Sequence, residues 1–189
     1  MPKNSLKINP WNSWLTLEAA WRGQPTERRA TLIKAVRDHM EHEIRGNLEP
    51  LMATLTAEPI YHFWGSGPGN MVIEGHDAVR AFYSNMMAAG GNQFEVLVEN
   101  VIVGDDHVVT EGQVKQVRRG ADVRALGIPH IDDAPIEDEE LILTTAQLVT
   151  IWPGDQDGKL VGEDIYFGES PASHAQRITL ADLPDYYIL

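Results

Sequence analysis

Apolar residues recur at three- and four-residue spacing through two segments of the N-terminal half, and at alternate positions through four segments of the C-terminal half. That change of period, from helical to strand-like, places helices before strands and selects an α+β fold over one built of alternating units. The first helical segment opens at Thr26, with Glu27 in its first turn, and carries Leu32, Ile33, Val36, Met40 and Ile44 until Gly46 ends it. The second, over 75–90, repeats Ala78, Val79, Phe82, Tyr83, Met86 and Met87 on one face. Between them the sequence predicts a short helix over 48–55, a break at Glu58-Pro59 and an aromatic strand over 60–64. The later strands cover 94–103, 108–117, 141–152 and 160–167, with Gly104-Asp105-Asp106 and the stretch 155–158 as hairpin connections.

A chain of 189 residues suits one domain, here 26–170, with an arm over 1–25 and a tail over 171–189. In the arm, Trp14, Leu17 and Trp21 form a helical stripe that, with Trp11, either packs on the body or a second subunit or helps roof a cavity. The net charge of -13 opposes binding to nucleic acid or to an anionic membrane surface. The absence of cysteine removes disulfides, thiolate nucleophiles and thiolate metal sites, so any chemistry must run on oxygen and nitrogen. No apolar run reaches the ~18 residues of a membrane span, and the first ten residues lack a signal-peptide core, so a cytoplasmic protein is expected. The segment 118–140 reads as a long loop whose acids are solvated surface, and Gly65-Ser66-Gly67-Pro68-Gly69 reads as a turn rather than a phosphate cradle.

Charged residues on faces that should be dry are the informative anomalies. On the first long helix Glu43 projects into the apolar stripe, and His39, one turn earlier, sits on its rim. On the last strand Glu163 shares a face with Val161, Ile165 and Phe167. Glu111 aligns with Val109, Gln113 and Val117 on a mixed face that borders either a polar cavity or water. A carboxylate removed from water costs several kcal/mol unless paired, and answers with a raised pKa, which is how general acids and bases are made. His39, His42 and Glu43 match neither zinc-protease spacing, and His42 projects to the polar side, so no metal ligand set is assigned. The direction of His62 stays open, because a short strand before a glycine loop can bulge.

The order of elements, with Gly-His-Asp-Ala-Val-Arg-Ala-Phe-Tyr over 75–83 and the closing stretch 157–169, resembles the SnoaL-like branch of the nuclear-transport-factor-2-like superfamily. The resemblance implies a cone, a curved antiparallel sheet wrapped by helices, with an apolar pocket and oligomerisation as a homodimer or larger through the sheet's outer face. Against the similar ketosteroid isomerases, His39 falls where that family has a donor tyrosine and Phe63 where it has its catalytic aspartate, so the familiar route of steroid isomerisation is not carried over. The same alignment implies that Glu111, Gln113, Gln147 and Glu163 face the pocket, and His39 with Glu43 fits a His-x-x-x-Glu pattern of SnoaL-like relatives. The expected walls are Tyr61, Phe63, Trp64, Phe82 and Ile165.

With no nucleophile motif, dinucleotide fingerprint or metal motif, the inventory supports cofactor-free acid–base chemistry on a small hydrophobic, hydroxylated, aromatic substrate. Glu111 or Glu163 is the expected base, and His39, held by Glu43, the group that orients or protonates the substrate oxygen. Elimination of water or formaldehyde, as from lignin-derived diaryl diols, is the leading expectation. Isomerisation, epoxide hydrolysis and noncatalytic ligand binding are the alternatives.

Overall fold

The structure, a computed structural model, describes residues 6–65, 70–170 and 174–189. A 3₁₀ turn at Pro10–Asn12 leads into α1 (Leu15–Arg22), α2 (Glu27–Arg45) and α3 (Leu48–Met52), followed by β1 (Leu55–Trp64), β2 (Met71–Glu74) and α4 (His76–Ala88). The rest is β3 (Phe94–Val103), β4 (His107–Arg119), α5 (Gly120–Ala125), β5 (His130–Ile131), β6 (Ala134–Pro135), β7 (Leu141–Pro153), β8 (Leu160–Phe167) and β9 (His174–Ile178), closed by a 3₁₀ turn at Leu180–Asp182. Helices then strands is the α+β order that the change of period predicts. No helix among the described residues is long and apolar enough to cross a membrane.

The helix α2 is set by its ends and its stripe. The Thr26 hydroxyl accepts from Arg29 N at 3.3 Å, and Gly46 leaves the helix in the left-handed region at φ 72°, which costs glycine little. Between them Leu32, Ile33, Val36, Met40 and Ile44 are buried and join Trp14, Leu17, Tyr61, Tyr83, Trp152 and Leu160 in the main core. His39 is buried on that same stripe.

The main sheet runs β2-β1-β8-β7-β4-β3. Only β1 and β8 pair in parallel; β7 pairs with β4 along its whole length and divides its other edge between β8, at 148–151, and β9, at 141–145. Bulges between Val98 and Asn100 in β3 and between Leu55 and Ile60 in β1 bend the sheet, and α2 and α4 lie against its concave side. The result is the cone expected from the sequence.

Four expectations change. The strand read as 60–64 begins at Leu55; Pro59 falls inside it, where the pairing with β8 is interrupted and no ladder donor is needed. The segment 118–140 is not a bare loop: β4 continues to Arg119, α5 follows, and β5 and β6 form a hairpin turned by Asp132 and Asp133 at φ 51° and 60°. Val123, Ile131, Ile136 and Ile142 give it a small core of its own. The tail carries β9, whose Arg177 donates to the carbonyls of Ile131, Ala134 and Pro135. Finally β2, which the sequence reading omitted, pairs with β1; the glycine-rich stretch between them was expected to be a turn, and its residues 66–69 lie outside the described residues.

The arm packs on the body. Trp14 and Leu17 enter the main core, and Trp11 stacks on Tyr186 at 3.9 Å with Arg45 over its ring.

Candidate functional site

Four elements converge on one polar cluster. The helix α2 supplies His39 and, one turn later, Glu43; α4 supplies Tyr83; β1 supplies Tyr61 and β8 supplies Glu163. The parallel register places Tyr61 directly beside Glu163. Odd-numbered residues of both strands therefore face inward, which also brings in Phe63 and Ile165.

His39 is fully buried. Its Nδ1 lies 2.7 Å from Thr54 Oγ1, whose own proton goes to the Leu51 carbonyl at 2.7 Å. Thr54 must therefore accept, so Nδ1 carries a proton and Nε2 is the atom turned to the cluster. Nε2 lies 2.9 Å from the Tyr83 hydroxyl, 3.4 Å from the Tyr61 hydroxyl and 3.2 Å from Glu163 Oε1. The Tyr83 hydroxyl is also 3.0 Å from Glu163 Oε1 and 3.1 Å from the Tyr61 hydroxyl. Trp152 packs edge-on to His39 at 5.7 Å and donates Nε1 to Thr110 at 3.0 Å.

Electrostatics separate the groups. Burial, and then the charge of Glu163, push the Glu43 carboxyl well above the usual carboxylate range. Burial and Glu163 likewise raise both tyrosine hydroxyls, so Tyr61 and Tyr83 stay protonated donors. Among the described residues no hydrogen bond reaches the Glu43 carboxyl, which borders a cavity.

That cavity has a volume of about 370 Å³, within the range of small-molecule sites. Glu43, Tyr61, Tyr83 and Glu163 make one end; Phe82, Met86, Phe94, Val114 and Leu148 are among its apolar walls; Gln116, Arg118 and Thr144 lie further along β4 and β7.

Of the residues selected from sequence, Glu43, Glu163, Tyr61, Phe63, Phe82 and Ile165 line the cavity, and His39 lies behind Tyr83 and Glu163 rather than in the wall. Glu111, Gln113, Gln147 and Trp64 do not face it. The inward row of β4 is Thr110, Val114, Gln116 and Arg118, and that of β7 runs from Thr144 to Trp152 on even numbers. Glu111 thus lies on the outer face, accepting from Asn100 Nδ2 at 3.0 Å, and Gln113 sits opposite Gln147 on that same face. Valines at both parities of β4, at 108, 109, 114 and 117, leave its alternation without a dry side to read. Trp64 follows His62 outward, stacked between His62 and Tyr166, and His62 pairs with Asp164 at 2.6 Å.

Sequence reasoning missed the roles of Tyr83, Thr54 and Arg118. Tyr83 had a visible signal, a hydroxyl on the apolar face of α4 that requires a buried partner. His39, Glu43 and Glu163 each bring one ligand atom within 4.8 Å of the others, the donor set of a divalent cation. The Tyr83 hydroxyl bonds both His39 Nε2 and Glu163 Oε1 in that space, so a cation would have to displace it.

The SnoaL-like domain family matches residues 36–138, more than half of the chain. No curated protein matches it in sequence. Among solved structures, a putative SnoaL-like polyketide cyclase from Jannaschia sp. CCS1 is similar at a TM-score of 0.55 and 18% identity, covering 77% of this chain and 90% of that one. A phenazine biosynthesis-related protein from Pseudomonas aeruginosa gives 0.53 and 14%, over 75% and 82%. An NTF2-like protein from Burkholderia xenovorans LB400 gives 0.50 and 15%, over 77% and 92%. At these identities the likeness is one of fold.

Proposed function

The chain belongs to the SnoaL-like family, and from that premise and the chemistry of its cavity we propose a lyase working by acid–base proton transfer on a small hydrophobic, hydroxylated, aromatic compound. The observation that carries this is the Glu43–Glu163 pair at one end of an apolar cavity. Burial and its neighbour's charge favour the neutral form of Glu43, so a proton donor stands beside a second carboxyl group that can accept.

For a diaryl 1,3-diol the step balances as follows. Glu163 takes the proton of the terminal hydroxymethyl group, whose O–H electrons form the carbonyl of formaldehyde. The broken C–C bond supplies the electrons of a new alkene, and the hydroxyl on the next carbon leaves as water with the proton of Glu43. The pair ends with its proton exchanged, and return of that proton resets it. Tyr61 and Tyr83 donate to the oxygen on which charge develops. His39 acts as a positioning residue, holding Tyr83 and Glu163 from behind. Simple dehydration or isomerisation would use the same two carboxyl groups.

The test is turnover of diaryl diols followed by mass spectrometry of the products. E163Q should lower turnover by about 10² or more with the fold retained, and a chelator should leave the wild-type rate unchanged. An E163Q enzyme with wild-type rate, or a rate abolished by chelation, overturns the mechanism.

A further inference from the structure

The inward row of β4 begins at Thr110, bonded to Trp152 beside His39, and ends eight residues later at Arg118. At roughly 3.3 Å per residue these positions are separated by about 26 Å of strand, with Val114, and Ala146 and Leu148 on the neighbouring β7, forming apolar wall between them. The far end is therefore a second polar site in the same cavity, of opposite sign to the Glu43–Glu163 end.

Arg118 is unusual in this chain. Acids outnumber bases 28 to 15, yet no carboxylate lies within 4 Å of its guanidinium among the described residues. Its one acceptor there is Gln116 Oε1, at 2.5 Å from Nη2, and its Nε is buried with no partner. Gln116 in turn is fixed by donating Nε2 to the Gly91 carbonyl at 3.2 Å. Asp122 and Tyr187 face the arginine at longer range, and burial still holds its pKa below the ordinary value. A half-buried guanidinium with no carboxylate in contact is costly unless something anionic completes it, and its planar fork fits a carboxylate.

We infer that the ligand of this cavity is a hydrophobic carboxylate, its acid group seated on Arg118 and its reactive hydroxylated end at Glu43 and Glu163. The inference deepens the acid–base reading and rests on the same cavity. It assigns Arg118 as the specificity-determining residue and explains how a chain with a net charge of -13 would retain an anionic compound: the attraction is local, at a half-buried group that solvent screens less than an exposed one.

The test is a matched pair of probes, trans-stilbene-4-carboxylate and trans-stilbene-4-carboxamide, titrated calorimetrically into the full chain at pH 7.5. The wild type should bind the carboxylate at least about tenfold tighter, the scale of one charged hydrogen bond. R118Q should abolish that preference and still bind the amide measurably, which shows the cavity intact. R118K, which keeps the charge without the fork, should retain part of the preference. Equal binding of both probes by the wild type, failure to bind either, or an undiminished preference in R118Q overturns the proposal. E163Q separates the two readings: it should lose turnover and keep the carboxylate preference. Lost turnover in E163Q alongside no preference in any variant sinks the carboxylate and leaves the acid–base pair standing.

Discussion

The Glu43 carboxyl makes no hydrogen bond among the described residues, yet sits beside another carboxylate at one end of the cavity. Its folded-state pKa is raised above the unfolded value, so the folded chain holds a proton that the unfolded chain has released. The associated stability is fully present below the unfolded pKa of about 4.5 and is lost as pH rises through the folded pKa. E43Q, a neutral isostere, removes that dependence. It should melt above the wild type at pH 8 and converge with it near pH 4 in paired thermal melts; a wild type at least as stable as E43Q at pH 8 contradicts the assignment. Thr54 gives a second prediction at this scale. T54V leaves the His39 Nδ1–H without its acceptor and frees the ring to turn, so kcat should fall about tenfold with KM little changed, by analogy with other groups that orient a histidine from behind. An unchanged kcat would show that His39 is held by other contacts.

The parallel pairing of β1 with β8 sets Tyr61 beside Glu163, and it depends on Gly162. That residue has φ 152°, and a Cβ on it would lie 1.7 Å from the Ile60 carbonyl oxygen, a backbone atom that cannot step aside. G162A should therefore cost about 3 kcal/mol, roughly 6–12 °C in melting temperature for a chain of this size, and lower turnover with it. A G162A protein that melts with the wild type would show that the crossing is soft. Elements with many buried residues at one period were legible beforehand: α2, α4 and the long strands follow from Leu32 to Ile44, Val79 to Met86 and the alternation of β8. The site was legible where a charged residue broke such a period, as at Glu43 and Glu163. It was not where both faces look alike, which hid the outward direction of Glu111 and Gln147. Nor was it where an element is too short for a period, as in β5 and β6, whose Asp132-Asp133 turn lacks the glycine that usually marks such hairpins.

At the scale of the molecule, the helices and the sheet close around an unfilled volume of about 370 Å³ that carries a buried carboxyl pair at one end. A sequence selected for stability alone would fill such a space, because missing contacts and isolated charges both oppose folding. The cavity should therefore respond to ligand in two linked ways. Ligand at 100 times its Kd should stabilise the folded chain by about 2.7 kcal/mol, raising the melting temperature by roughly 5–11 °C at this chain length. Ala146, paired with Val114 on the same sheet wall, offers the complementary change, since A146F extends a ring into the cavity between its two polar ends. A146F should melt within about 1 kcal/mol of the wild type, or above it, where the ring gains contacts at no cost in strain. It should also show no ligand-induced rise and no turnover. If A146F binds ligand and melts upward with it as the wild type does, the cavity is not the place where the ligand sits, whatever Glu43 and Glu163 do within it.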